Sequence, residues 1–175
     1  MIHELLHYKK VILASLSPRR KELFSLLGIS FTAIPAELEE TINNEAPQTQ
    51  AMQNALRKAQ IVKDKVNKDA LVVSADTLVA LDNHILGKPA NAEEAGKYLR
   101  LLSGRSHSVY TGICIYYNDL AEINYEQTFV TFAELSEAEI NSYIATGEPL
   151  DKAGAYGIQG FGAQFITKVE GCYFN

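Results

Sequence analysis

Ser17-Pro18-Arg19-Arg20 stands where an apolar run, Val11-Ile12-Leu13-Ala14, gives way to a helix-forming stretch containing Glu22, Leu23, Phe24, Leu26 and Leu27. Ser17 suits an N-cap and Pro18 the first helical position, so the N–H groups of the first turn face whatever anion arrives. Two guanidiniums at that end favour phosphate over carboxylate, because several donors converge and arginine binds bidentately. A capped helix with surface arginines accounts for the same residues equally well. Asp76 is the second group able to do chemistry. It lies in the most apolar segment of the chain, Leu71-Val72-Val73-Ser74-Ala75-Asp76-Thr77-Leu78-Val79, where an unpaired carboxylate is costly unless it meets a cation. A structural salt bridge would satisfy it, and so would a role as metal ligand or general base at a strand end. The acidic run Glu37-Leu38-Glu39-Glu40 offers a second carboxylate, although such loops are usually solvated. Two carboxylates and a divalent ion suit phosphoryl chemistry, in which the metal neutralises phosphate charge and acidifies an attacking water.

Two lysines and one loop are more ambiguous. Lys88 sits in Gly87-Lys88-Pro89 and Lys58 on a helical stretch, and each taken alone reads as a solvated lysine. In Asp151-Lys152-Ala153-Gly154-Ala155-Tyr156-Gly157-Ile158-Gln159-Gly160, small residues permit backbone approach to a flat ligand, and Gln159 pairs a donor with an acceptor as a base edge requires. A glycine-rich surface loop is the plain alternative. His3, His7, His84 and His107 show neither metal-ligand spacing nor a Ser-His-Asp arrangement, and no role is assigned to them.

The elements that must position these groups follow from periodicity. Val11 to Ser15 reads as a buried strand, Pro18 to Leu27 as a helix closed by Gly28, and Ser30 to Ile34 as a short strand. Met52, Ala55, Leu56, Ala59, Val62 and Val66 mark a helix over Thr49 to Val66, with Arg57 and Lys58 toward an edge of its buried face. Ala70 to Leu81 is too continuous and too β-branched for a surface helix and reads as a central strand. Asn91 and Glu94 start a helix that ends at Gly104, and Ser136-Glu137-Ala138-Glu139 is a capping box for another. Arg105 to Tyr117 and Ala121 to Ala133 form a long hairpin about Asn118-Asp119, and a last strand runs from Ala163 to Val169. Strands and helices alternate first and antiparallel pairing dominates later, so the fold class is α/β, a mixed sheet flanked by helices.

Composition narrows the function classes. Sixteen basic residues against 21 acidic ones leave a net charge of -5, which argues against a broad nucleic-acid surface. Cys114 and Cys172 are too few and too far apart for a disulfide framework or zinc site, which favours a reducing compartment. No apolar run approaches ~20 residues and no secretory leader is evident, so the expectation is a cytoplasmic protein without a membrane partner.

Taken in order, Leu13-Ala14-Ser15-Leu16-Ser17-Pro18-Arg19-Arg20, Ser74-Ala75-Asp76-Thr77, Gly87-Lys88-Pro89, Leu102-Ser103-Gly104-Arg105, Tyr110-Thr111-Gly112 and Gly147 through Gly160 resemble the Maf family of nucleotide pyrophosphatases over nearly the whole chain. The resemblance implies an elongated, inosine-triphosphatase-like fold, one domain over residues 1–175 with a cleft between two lobes. It implies hydrolysis of a nucleoside triphosphate between the α and β phosphates with a divalent metal, Mg²⁺ or Mn²⁺. By position, Asp76 matches the proton acceptor and a metal ligand, Glu40 a second metal ligand, and Lys58 and Lys88 catalytic contacts. Ser15, Arg19, Arg20, Thr77, Lys152 and Gln159 fall at substrate contacts. Arg19, Thr77 and Gln159 match the subfamily acting on dTTP and UTP, with a house-cleaning role against non-standard pyrimidine nucleotides. The runners-up are a 7-methyl-GTP pyrophosphatase and a non-catalytic nucleotide-binding regulator of septum formation. The expected partner is the triphosphate, with no stable nucleic-acid complex and a homodimer left open. Family members usually continue past Asn175 into a last helix, so the C-terminal segment reads as truncated.

Overall fold

A computed structural model describes residues 1–38, 43, 45–82 and 84–175. Its centre is a 7-stranded mixed sheet in the order β2-β1-β3-β5-β6-β7, with β4 paired to β3 off this path. These are β1 (Val11–Leu13), β2 (Thr32–Ala33), β3 (Leu71–Leu81), β4 (His84–Leu86), β5 (Ser106–Tyr117), β6 (Leu120–Phe132) and β7 (Ile166–Glu170). β1 pairs parallel with β2 and β3, and every other pairing is antiparallel. The expected division into parallel and antiparallel halves therefore holds, with β3 as the strand they share. Asn118 and Asp119 take φ of 47° and 63° at the hairpin tip, the left-handed pair that suits a two-residue turn between twisted strands.

The helices are α1 (Ile2–Leu5), α2 (Pro18–Leu26), α3 (Pro47–Lys63), α4 (Ala92–Leu102) and α5 (Glu137–Ala145). The α3 range differs from the expected Thr49 to Val66. Pro47 supplies a first-turn residue that needs no N–H partner, and Asp64 closes the helix as its C-cap. The last strand also starts later than expected, since Phe161–Phe165 form a 3-10 turn before β7. Asn91 and Ser136 cap α4 and α5 as their sequences require.

Two hydrophobic clusters sit at different ends of the sheet. One joins Ala55, Ala59 and Val62 of α3 to Ile12, Ala14, Val72 and Cys114. The other joins Ala95, Leu99 and Leu102 of α4 and Ile140 and Tyr143 of α5 to Val79, Leu81, Leu86, Val130, Phe132 and Tyr156. Ala14 of the first cluster and Val79 and Tyr156 of the second line a common cavity.

The distance of α3 from the sheet is set at Gly112 on β5. A Cβ there would stand 2.3 Å from the backbone carbon and oxygen of Ala51, so helix backbone rests directly on strand backbone. Asp76 is the β3 residue opposite Gly112, which places its side chain beneath α3. Gly112→Ala is expected to push α3 outward and destabilise the fold by about 1–3 kcal/mol, the usual cost of overpacking. Denaturant unfolding of the purified variant checks this, and an unchanged midpoint would show that α3 does not depend on that contact.

Candidate active site

β5 pairs with one edge of β3 from Val72 to Ala80, whereas on the other edge β1 reaches only Val73 and β4 begins at Val79. Among the described residues, that edge carries no strand from Ser74 to Leu78. A cavity of about 650 Å³ opens at this gap, walled by Ser15 through Arg20, Lys58, Ser74 through Val79, Gly87, Lys88 and Asp151 through Ala153 with Tyr156 through Gln159. It lies beyond the carboxyl end of β1, where sheets with parallel strands commonly bind ligands.

Asp76 is buried within β3, not at a strand end as expected, and the missing neighbour strand is what gives it access to the cavity. Its Oδ1 accepts from Lys58 Nζ in a buried ion pair, and its Oδ2 accepts from Asn54 Nδ2 at 2.9 Å. Lys58 is itself buried while Arg57 is exposed, so the two do not share the edge position the apolar pattern suggested. The polar positions Gln50, Asn54 and Lys58 recur every four residues and share the buried face with Ala51, Ala55 and Ala59. That four-residue spacing was the signal available for Gln50 and Asn54, which apolar periodicity alone passes over.

Ser15, Arg20 and Thr77 meet on the other side of β3. Arg20 Nη1 donates to Ser15 Oγ and Nη2 to Thr77 Oγ1, both at 3.3 Å, and Thr77 Oγ1 lies 2.9 Å from Thr111 Oγ1. Ser17 is the N-cap residue of α2 but makes no side-chain cap bond. Instead its N–H donates to Ser15 Oγ at 3.2 Å. Ser15 therefore accepts from two donors, and its own proton is what it can offer a ligand. Thr111 stands in the Tyr110-Thr111-Gly112 motif but received no role from sequence, because a threonine inside a strand carries no distinguishing mark of its own.

The glycine-rich loop supplies the opposite wall. Arg19 and Lys152 converge there: a Cβ on Gly157 would stand 2.9 Å from Lys152 Cδ and Cε and 3.7 Å from Arg19 Nη1. Lys152 Nζ donates to the Glu148 carbonyl at 2.9 Å and to Asp151 Oδ1 at 2.6 Å. That hydrogen bond, with a contribution from the Arg19 charge, holds the Asp151 carboxyl below its usual range. Gln159 is exposed at the loop tip and, like Lys88, lines the cavity.

Glu148, which sequence reading did not assign, shapes this loop. Its Oε1 accepts from Tyr143 Oη at 2.8 Å and Gly162 N–H at 3.3 Å, and its Oε2 accepts from Phe161 N–H at 2.8 Å. Burial opposes the charge, yet these three donors and Lys152 hold the carboxyl below its usual range. A Cβ on Gly160 would stand 2.4 Å from both carboxylate oxygens, so a side chain there would displace the Glu148 carboxylate from where these donors hold it. His107, also unassigned, is buried with Nε2 2.7 Å from Tyr156 Oη. Burial pushes its pKa down to about 4, and the neutral ring packs edge-on against Phe132 and Tyr156.

Among the described residues, five cationic side chains line the cavity (Arg19, Arg20, Lys58, Lys88, Lys152) against two side-chain carboxylates, Asp76 and Asp151. In a chain of net charge -5, this is a local reversal of sign, and it selects an anion. Glu40 lies outside the described residues. No group of three His, Cys, Asp or Glu side chains able to hold a metal occurs among those described. Asp76 nevertheless fits the chemistry of a divalent cation held by one or two carboxylates together with substrate phosphates.

Residues 10–175 match the sequence model of the family described as Maf-like protein. A dTTP/UTP pyrophosphatase of Bacillus cereus (strain ATCC 10987 / NRS 248) is 51% identical over 168 residues, which cover 95% of this chain and 82% of that one. One from Bacillus anthracis is 50% identical over 168 residues, covering 95% and 87%. Among solved structures, the Staphylococcus aureus Ham1 protein superposes with a TM-score of 0.51 at 17% identity, covering 72% of this chain and 73% of that one. That likeness concerns the fold alone.

The Glu148 clamp yields a prediction with a defined sign. Because the folded carboxyl is held below its unfolded value, its stabilisation is complete above the ordinary carboxylate pKa and is lost as pH falls through the depressed value. Glu148→Gln is expected to destabilise the protein by about 1–3 kcal/mol at neutral pH, with the deficit shrinking on acidification. Thermal unfolding of both proteins across pH 3–8 measures it, and a deficit independent of pH would contradict an ionised clamp.

Proposed function

We propose, from the premise that this chain belongs to the Maf family, that it is a nucleoside triphosphate pyrophosphatase hydrolysing dTTP and UTP to the monophosphate and pyrophosphate. The observation that carries this reading is the meeting of the Asp76–Lys58 pair and the Ser15–Arg20–Thr77 cluster in one cation-lined cavity.

In this reading Arg19, Arg20, Lys88 and Lys152 hold the triphosphate, with the Ser15 hydroxyl as a further donor. Arginine at such a site binds phosphate oxygens bidentately, and the cavity walls strengthen each charge relative to open solvent. Asp76 takes the proton of a water as its oxygen attacks the α-phosphorus. The bond from that phosphorus to the α–β bridging oxygen breaks, and pyrophosphate departs. Lys58 supplies the countercharge that lets a carboxylate sit inside a sheet. A divalent cation held by Asp76 and Glu40 together with phosphate oxygens would neutralise the developing charge and acidify the water. Positioning and electrostatics supply most of the catalysis in such transfers.

Thr77 and Gln159 carry the proposed pyrimidine preference, in different ways. Gln159 offers its amide from the loop tip, where a flat ring can be read by a donor and an acceptor together. Thr77 is bonded to Arg20, so besides facing the nucleobase it helps to place that guanidinium against the phosphates. No helix among the described residues is long and apolar enough to cross a membrane. Cytoplasmic residence and a house-cleaning role against non-standard pyrimidine nucleotides belong to the same reading, which leaves a homodimer open.

Pyrophosphate release from a panel of purified triphosphates, with Mg²⁺ or Mn²⁺ and without either, tests the activity directly. We expect dTTP and UTP to be cleaved at least about 100-fold better than ATP or GTP, as a site that pairs polar groups can discriminate. Equal rates on purines and pyrimidines, or activity confined to 7-methyl-GTP, would overturn the assignment. Nucleotide binding without turnover would favour a regulator. Asp76→Asn should lower kcat by about 1,000-fold or more while the protein stays folded, and turnover near wild type would remove Asp76 from the mechanism.

A further inference from the structure

Behind Asp76, away from the cavity, a line of buried amides runs along α3. Gln50 is 0% exposed, Asn54 2% and Asp76 3%. The backbone N–H of Asn43 donates to Gln50 Oε1 at 2.9 Å, Gln50 Nε2 donates to Asn54 Oδ1 at 3.0 Å, and Asn54 Nδ2 donates to Asp76 Oδ2 at 2.9 Å. Its direction is dictated by its ends. A backbone N–H can only donate, and a carboxylate paired with a lysine accepts. Each amide between them must therefore present oxygen toward Asn43 and nitrogen toward Asp76. Flipping either one would set acceptor against acceptor or donor against donor in a site closed to water.

Packing alone does not call for these amides. Ala51, Ala55, Ala59 and Val62 already bury the same helix face, and a buried polar side chain is tolerated only when its partners are all present. A terminal carboxylate torsion is broad and roughly two-fold. Lys58 on its flexible stem neutralises Asp76 but leaves the carboxylate plane free to turn. A second bond from a rigidly held amide to the other oxygen removes that freedom.

We propose that Asn54 and Gln50 are positioning residues for the reaction at Asp76. Asn54 sets the plane of the carboxylate, Gln50 sets Asn54, and the chain entering α3 at Asn43 sets Gln50. Asp76 then meets its water already aligned, an orientation that productive geometry needs within roughly 10–20°. This inference rests on Asp76 being the proton acceptor.

The test is a double-mutant cycle on kcat and KM for dTTP, using Asn54→Leu, Gln50→Leu, the double variant and Asp76→Asn, with thermal unfolding of each. Asn54→Leu should lower kcat by about 10–100-fold and Gln50→Leu by about 3–10-fold, with KM moving less than about threefold, since a transition-state interaction is lost and ground-state binding is not. The double variant should be no slower than Asn54→Leu, because Gln50 acts only through Asn54. Gln50→Glu should be slower than Gln50→Leu, as its added acceptor forces Asn54 to turn its oxygen toward Asp76. If Asn54→Leu does not fold, Asn54→Ala carries the same expectation. Turnover within twofold of wild type in the folded Asn54 variant, multiplicative losses in the double variant, or a loss confined to KM would overturn the proposal. An inactive Asp76→Asn beside a fully active Asn54 variant overturns the relay alone, whereas an active Asp76→Asn overturns the role of Asp76 and the relay with it.

Discussion

A carboxylate in the middle of a central strand must be neutralised, and much of this structure follows from how that is done. β5 occupies one edge of β3 along the whole stretch around Asp76, so no cation can arrive from that side. Lys58 comes from the helix above, and it reaches Asp76 because α3 lies with its backbone against the sheet at Gly112. Small side chains at Ala51, Ala55 and Ala59 keep the rest of the helix equally close. Removing either partner of such a pair leaves a stranded buried charge, which costs far more than the pair itself contributes. The approach of the helix and the presence of the ion pair are therefore one constraint seen from two sides.

What was legible in the sequence divides along physical lines. Local signals were faithful: the β-branched run of β3, the Asn118-Asp119 turn and the Ser136 capping box each depend on neighbours in the chain, and each holds. Asp76 stood out because a charge inside an apolar run is improbable without a partner. Its partner did not stand out, since a lysine on a helix is normally solvated and only the fold distance at Gly112 makes Lys58 buried. Glu148, Tyr143 and Thr111 received no role for a related reason: their importance lies in hydrogen bonds to loop backbone or across strands, which leave no periodic trace. The cap expected of Ser17 is not made, and its N–H donates to Ser15 instead. The ordered motifs carried the family, whereas single residues within them gained meaning only from geometry.

Charge is distributed in a way that separates the surface from the site. The chain is acidic overall, yet the described cavity wall is predominantly cationic. A low-dielectric cleft of one sign focuses field lines on an incoming counter-ion, while an acidic exterior disfavours polyanions too large to enter. The glycine-rich loop that forms the second wall is held by Glu148 from beneath, so a negative group stabilises a loop that carries Lys152 and meets Arg19 of α2 at the cleft.

The alternation of side chains along β3 separates the two halves of the site. Asp76 points toward α3 and Thr77 toward Arg20, because successive residues of a strand face opposite ways. Point substitutions at neighbouring positions leave that phase intact. An insertion or deletion of one residue between Val73 and Asp76 inverts it for everything that follows, and would carry Asp76 away from Lys58 and Thr77 away from Arg20 together. Over evolutionary time this strand can therefore vary in composition while its length is frozen, and chain-length changes are channelled into the loops outside it.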